Sequence, residues 1–333
     1  MGCLVYGANG YSGTLLARLA VARGERPVLA GRSQAPVRAL AEELGLPWRA
    51  GPPSRELLEG VDAVVNCAGP FAATARPMVA ACLAAGVHYL DITGELDVFA
   101  WMFAQDEAAR AAGVAMITGA GFDVVPTDCL AALLAAELPG AVALELAFSA
   151  PGGLSRGTAR TALAEMGSGA LRRAGGELVA TRFGRPSRSV PFPSGPRRVG
   201  ATRWGDLVTA WHSTGIPDIT VYMPLPPGAV LAPLFAFPPL RRAAQALVRP
   251  GGPAASVRES SGCEAWAEVR DAAGATRAAT LTGPNAYALT ADASLRAVQR
   301  VMAGEVVPGV HTPSSALGAG FVRTLDGVSV TLT

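Results

Sequence analysis

The hydrophobic positions fall first into short, nearly continuous runs: Cys3-Leu-Val-Tyr6, Pro27-Val-Leu-Ala30, Val61-Asp-Ala-Val-Val-Asn-Cys67, His88-Tyr-Leu-Asp91 and Val114-Ala-Met-Ile117. Runs of this length, apolar on both faces, predict buried strands. Between them the apolar residues recur at helical spacing: Thr14 to Ala20, Ser33 to Leu44, Ala73 to Ala85, and Asp97 to Gly113, with Asp97 as cap and Gly113 as stop. Strands alternating with helices predict an α/β fold built on a parallel, doubly wound sheet. The pattern changes after Phe148. Residues 150 to 205 are rich in Gly, Arg, Ser and Pro, and only weaker alternating runs interrupt them and follow them, such as Glu177 to Ala180 and Asp206 to His212. These read as strands of a mainly antiparallel sheet. Tyr287 to Met302 returns to helical spacing. The expected organisation is a first domain over 1–122, an α+β substrate or dimerisation domain over 123–282, and a C-terminal helix and tail over 283–333 that packs back on the first domain.

The first strand runs directly into Gly7-Ala-Asn-Gly10-Tyr-Ser-Gly13 and then a helix. In a dinucleotide site the three glycines act differently: Gly7 makes the tight turn, Gly10 lets backbone approach a pyrophosphate, and Gly13 lets the helix pack on the strand. Asn9, Tyr11 and Ser12 lie in the same turn, whose helix N-terminus offers free N–H groups and a positive dipole end. The next strand ends at Gly31-Arg32-Ser33, with no acid between Arg26 and Glu42. An acid there would hold a ribose 2′-hydroxyl, whereas the Arg32 fork beside Ser33 suits a 2′-phosphate, so the expected cofactor is NADP(H). Cys67-Ala-Gly69-Pro70-Phe71 follows the third long strand at its carboxyl end, where ligands bind in open α/β sheets.

Composition narrows the chemistry. Half of the 333 residues are hydrophobic, 16% are charged, and the net charge is +2, which provides a sizeable core and no general nucleic-acid surface. All 28 basic residues are arginine. Without lysine the chain cannot carry a Walker P-loop, a Schiff-base enzyme or a Tyr-x-x-x-Lys dehydrogenase pair. Five scattered cysteines without a C-x-x-C pair, and three histidines without H-E-x-x-H, support neither disulfides nor a metal site. A reducing cytoplasm is the expected location, and no signal peptide is expected before the first strand, because Gly7 and Gly10 break the apolar run. Ile216 to Leu240 has one charge, Asp218, but its seven prolines argue against a transmembrane helix and for an apolar channel or lid.

Six segments in order resemble the saccharopine dehydrogenase-like oxidoreductases, nearest to the trans-acting enoyl reductases: Gly7 to Gly13, Ala30 to Ser33, Asn66 to Phe71, His88 to Glu95, Gly121 to Asp128, and Ser155 to Thr158. Gly309-Val-His-Thr-Pro313 and Ala316-Leu-Gly318 resemble that family's closing segment. The resemblance implies a Rossmann domain, NADP(H), and reduction of a C=C or C=N bond. This chain is shorter through its middle, and its lack of lysine means that the acid–base chemistry of true saccharopine dehydrogenases does not carry over.

Hydride transfer belongs to the nicotinamide, so the protein must position the acceptor and manage a proton. Asp91, Thr93 and Glu95 follow one strand and Asp123 the next, so both sets can point at one cleft, where a partly buried carboxyl is a candidate acid; Arg156, with Ser155 and Thr158, is a candidate anchor for an anion or carbonyl. The same acids can equally cap helices or tie loops. The expected activity is NADPH-dependent reduction of an enoyl or acyl-type C=C bond. The alternatives are an imine reductase or dehydrogenase of a small amino-acid-like metabolite, and a non-catalytic NADP(H)-binding sensor. Between Ser155 and Arg203 ten arginines face two glutamates. That surface suits an acyl substrate carried on an acidic carrier protein or coenzyme A, or alternatively a homodimer interface.

Overall fold

In the computed structural model the described residues are 2–166, 169–225, 234, 236–248 and 251–333. They form two units, residues 1–125 with 287–321 and residues 126–286 with 322–333.

The first unit alternates β1 (Cys3–Tyr6), α1 (Tyr11–Ala22), β2 (Val28–Gly31), α2 (Gln34–Leu44), β3 (Trp48–Ala50), β4 (Ala63–Asn66), α3 (Phe71–Ala85), β5 (His88–Asp91), α4 (Leu96–Phe103), α5 (Asp106–Ala111) and β6 (Ala115–Ile117). The second unit holds most of α6 (Val125–Glu137), then β7 (Ala141–Ser149), α7 (Arg156–Met166), β8 (Ala170–Ala174), β9 (Glu177–Thr181), β10 (Ser187–Phe192) and β11 (Gly195–Ala201). It continues through α8 (Asp206–Thr214), β12 (Asp218–Pro224), α9 (Pro238–Leu247), α10 (Ala255–Ser260), β13 (Gly262–Asp271) and β14 (Thr276–Pro284). The chain then returns to the first unit with α11 (Ala286–Met302), β15 (Gly309–His311) and α12 (Pro313–Leu317), and ends in β16 (Ser329–Leu332).

Every neighbouring pair in the first sheet is parallel, in the order β15-β6-β5-β4-β1-β2-β3. The reversal of order at β1 is the topological switch point that opens a crevice at the carboxyl ends of β1 and β4. One face buries Leu4, Tyr6, Val64, Tyr89 and Met116 against Met78, Val79 and Cys82 of α3 and Val98 and Met102 of α4. On the other face Val5 and Val65 share a cavity of about 240 Å³ with Leu16 and Ala20 of α1 and Leu295 and Met302 of α11. Both faces are therefore covered, as a parallel sheet requires.

The second sheet runs β10-β11-β12-β7-β13-β14-β16, with β8 on β12 and β9 on β8. It is antiparallel except for the parallel pair β7–β12. Trp266 anchors one face among Val190, Phe192, Val199 and Tyr222.

Three readings of the sequence need correction. Asp97 to Gly113 is not one helix: α4 ends at Phe103 and α5 restarts at Asp106, whose Oδ1 accepts from Val310 N at 2.8 Å and so ties the edge strand β15 to the helix. The N-cap of α4 is Glu95 rather than Asp97. Asp206 to His212 is helix, not strand: Leu207, Val208 and Ala210 are buried, and Gly215, left-handed at φ 71°, closes the helix. Finally, the C-terminal helix and most of the tail fall in the first unit, but residues 322–333 do not: their strand β16 joins the second sheet beside β14. The apolar stretch 216–240 begins as β12, while 226–233 and 235 lie outside the described residues.

Gly13 sets the seat of α1. A Cβ there would stand 2.4 Å from Gly7 O and 2.9 Å from Ala8 Cα, both backbone atoms that cannot swing away. Gly13→Ala should destabilise the protein by about 1–3 kcal/mol through this overpacking. Thermal unfolding by circular dichroism checks it; an unchanged Tm contradicts the close approach.

Candidate functional site

Five loops meet at the carboxyl edge of the parallel sheet, one after each of β1, β2, β4, β5 and β6. The β1 turn closes with Gly7 N donating to Ala30 O at 2.8 Å and Gly10 N to Gly7 O at 2.9 Å. Gly7 is left-handed at φ 78°, and a Cβ on it would lie 2.8 Å from Ala68 N, so the turns after β1 and β4 touch. Asn9 and Gly10 are exposed, Tyr11 and Ser12 half-buried, and Gly13 buried. No side chain caps α1 and no acid stands in its first turn, so its N-terminus is suited to an external anion. Apart from Gly7 O, nothing lies within 4 Å of a Cβ built on Gly10. After β2, Arg32 and Ser33 are exposed, and Ser33 is the N-cap residue of α2 without bonding through its side chain. Cys67, Ala68 and Phe71 are half-buried, while Gly69 and Pro70 form an exposed rim. Burial pushes the Cys67 thiol far up, so it is no nucleophile. These features fit a dinucleotide: a glycine cradle, an uncapped helix end, and a guanidinium beyond β2.

Behind this rim lies Asp91, fully buried at the end of β5. Its Oδ1 accepts from Gly119 N at 2.8 Å, Thr93 N at 3.2 Å and the Thr118 hydroxyl at 3.2 Å; its Oδ2 accepts from Tyr89 Oη at 2.9 Å. Tyr89 Oη accepts from Asn66 Nδ2 at 3.3 Å, and Asn66 Oδ1 accepts from Ala68 N at 3.1 Å. One buried chain of bonds therefore joins the loops after β4, β5 and β6. Burial raises the Asp91 carboxyl to about 6, against the opposing pull of its donors.

Glu95 serves a different purpose. Its two carboxylate oxygens accept from Phe71 N and Ala72 N, each at 2.8 Å, capping α3 where the helix dipole favours negative charge. Thr93 is buried and accepts from Glu95 N through Oγ1 at 3.0 Å. The fourth candidate, Asp123 in the loop after β6, is half-buried, and burial pushes it up to about 6. Its Oδ2 lies 2.8 Å from where a Gly94 Cβ would stand, so residue 94 must be small for Asp123 to sit there. The fifth candidate, Arg156, belongs to the second unit, exposed at the start of α7, where Ser155 Oγ accepts from Thr158 N at 3.3 Å. The structure thus brings Asp91, Thr93, Glu95 and Asp123 to one edge of the first unit.

Sequence reasoning missed the residues that hold the Asp123 loop. Thr290 Oγ1 of α11 accepts from Phe122 N at 3.0 Å, and Ser294 Oγ donates to Ala120 O at 2.8 Å. The i, i+4 spacing of two hydroxyls on an otherwise apolar helix face was the available signal. Tyr287 of the same helix packs edge-on against Tyr11 of the glycine turn, with ring centroids 4.8 Å apart.

Residues 3–117 match the saccharopine dehydrogenase NADP binding domain. Over those residues the chain is similar to an NADP-binding domain of that type. A trans-acting enoyl reductase from Mycobacterium ulcerans is 32% identical over 143 residues, which is 38% of this chain and 33% of the relative. A putative trans-acting enoyl reductase from Mycobacterium tuberculosis is 35% identical over 144 residues, with the same shares. The matched part thus spans about a third of the length of these curated relatives. Apo saccharopine dehydrogenase (L-Glu forming) from Saccharomyces cerevisiae has a TM-score of 0.65 at 12% identity, covering 100% of this chain and 99% of that one. Homospermidine synthase from Legionella pneumophila, in complex with NAD, gives 0.66 at 11%, covering 100% and 91%. At these identities the likeness is one of fold, a parallel sheet followed by a mostly antiparallel one. Among the described residues no group of three His, Cys, Asp or Glu side chains could hold a metal, and no helix is long and apolar enough to cross a membrane.

The Asp91 network yields a stability test. Asp91→Ala leaves the Gly119 and Thr93 N–H groups buried without their acceptor, at a cost of about 3 kcal/mol. Asp91→Asn keeps Oδ1 and should cost far less. Because the folded carboxyl titrates above the unfolded value of 3.8, its contribution is fully present below 3.8 and is lost as pH rises to about 6. Urea unfolding of wild type and Asp91→Asn across that window should show the slope only in wild type; identical pH dependence would contradict a buried, raised carboxyl.

Proposed function

We propose that the chain is an NADPH-dependent reductase that delivers hydride to an activated C=C bond of an acyl-type substrate, with Asp123 as the proton donor. The observation that carries this reading is the carboxyl edge of the first unit, where a glycine cradle, Arg32 beyond β2 and one half-buried acid raised to about 6 share a rim. NADPH, when bound, supplies the hydride. Gly7, Gly10, Gly13 and the N–H groups of Tyr11 and Ser12 would hold its pyrophosphate, with Asn9 beside them. Arg32 and Ser33 would hold the 2′-phosphate, and the turn Cys67 to Phe71 would flank the cofactor.

Asp123 holds a proton on its carboxyl at acidic to near-neutral pH and can pass it to the carbon that does not receive hydride. Thr290, Ser294 and Asp91 act on it as positioning residues, fixing the backbone on either side of Gly121. The relatives' names, trans-acting enoyl reductase, support an enoyl substrate.

Arg32→Ala should weaken NADPH binding roughly 10- to 100-fold, the loss of a charge-assisted pair, and leave NADH unchanged. Fluorescence titration with both nucleotides checks it; equal loss for both removes the 2′-phosphate role. Asp123→Asn should lower kcat for a crotonyl-type thioester about 100-fold while NADPH affinity stays. The wild-type rate should fall as pH rises past about 6, where Asp123 loses its proton, and the variant should lose that limb. Turnover of a cyclic imine alone would overturn the C=C assignment, and tight NADPH binding without turnover of either substrate would overturn the enzyme reading.

A further inference from the structure

The second unit carries a surface that the cofactor chemistry does not use. Helix α9 buries none of its ten residues. Its apolar side chains stay in solvent: Leu240 is 42% and Leu247 82% exposed, and the preceding Phe237 and Leu234 are 63% and 54% exposed. Phe237, Leu240, Ala244 and Leu247 fall on one arc of the helix, Arg241 and Gln245 along its edge and Arg242 on the opposite side, with no acid in the helix. Gln245 Nε2 donates to Arg160 O of α7 at 3.0 Å, which seats the helix on that neighbour.

We propose that α9 is a membrane-contact element that lies flat in the headgroup region of an anionic bilayer, with Phe237, Leu240 and Leu247 inserted and Arg241 and Arg242 at phosphate level. A strongly amphipathic helix of low overall hydrophobicity, with arginines on its polar face and Leu and Phe on the other, is the physical signature of an interfacial helix. Size separates this occupant from a protein partner. Ten residues of helix span about 15 Å and, with side chains, about 10 Å in width, far short of the about 800 Å² per side of a standard protein interface. An interfacial helix needs no such area, because its apolar side chains leave water by depth. The arginines match lipid phosphates in charge, each worth about 1 kcal/mol near an anionic surface.

The test is co-sedimentation of the full chain with vesicles of phosphatidylcholine alone and of phosphatidylcholine with phosphatidylglycerol. Binding is expected only to the anionic vesicles, and it should weaken as salt is raised. Phe237→Ser with Leu247→Ser, and separately Arg241→Gln with Arg242→Gln, should each weaken it roughly tenfold or more. All four side chains are at least partly exposed and outside the cofactor residues, so both variants should keep the wild-type melting curve and NADPH affinity. The proposal is overturned by no sedimentation with anionic vesicles, by binding that both variants leave unchanged, or by light scattering showing a dimer that the Phe237/Leu247 variant dissociates, which would make the occupant a second copy. Binding to an acidic carrier protein but not to vesicles would overturn it likewise.

Discussion

The carboxyl edge of the first unit depends on one buried carboxylate. Asp91 is inaccessible to solvent and accepts from Gly119 N, Thr93 N, the Thr118 hydroxyl and the Tyr89 phenol. Burying a charge without such donors would cost several kcal/mol, so burial and donor set specify each other. Through Tyr89 and Asn66 the same network reaches Ala68, whose backbone fits against Gly7 because Gly7 has no Cβ. A displacement of the loop after β6 is therefore opposed at the glycine turn, on the far side of β5 and β4. The crevice is built from backbone held by side chains rather than from side chains alone.

Three acids that look equivalent in the sequence are sorted by what surrounds them. Asp91 is spent on loop geometry, and Glu95 on the first turn of α3, where two N–H groups take both its oxygens. Asp123 is withdrawn from water against Gly94, and burial is the cause of its raised titration. Each resulting role follows from the number and kind of donors in reach. That count is a property of three loops brought together, and no spacing within a single loop encodes it.

The same distinction explains how far the sequence could be read. Five strands of the parallel sheet were legible because they are continuous apolar runs, and β1 and β5 begin and end where those runs do; the edge strands β3 and β15, three residues each, carry no such run and were not legible. Gly7, Gly10 and Gly13 could be assigned separate roles because each role is a local steric one. Asp206 to His212 was not legible: seven residues of mixed apolar and polar character suit either period, and burial of Leu207 beside Val208 decided for helix. The break between α4 and α5 rests on Asp106 reaching Val310, a contact across roughly two hundred residues of chain. Thr290 and Ser294 escaped notice for the same reason, since their partners Phe122 and Ala120 are remote in sequence.

Charge counting along the chain misleads for a physical reason. Ten arginines against two glutamates between Ser155 and Arg203 suggested a single docking face. The sheet instead absorbs several of them with partners from outside that interval. Arg188 pairs with Glu145 and Glu268 and lies over the Trp266 ring at 4.9 Å, and Arg197 pairs with Glu264 at 3.3 Å. Arg173, only 8% exposed, donates to Leu207 O at 2.9 Å and stacks over Trp211. Guanidinium groups suit this work, because a planar fork can satisfy carbonyls or carboxylates while its face covers an aromatic ring. In a chain without lysine every structural cation must be arginine, so a local run of them measures the demands of the second sheet before it measures any partner. The positive charge that still bears on recognition has to be sought where apolar side chains accompany it in solvent, and α9 is one such place in the second unit.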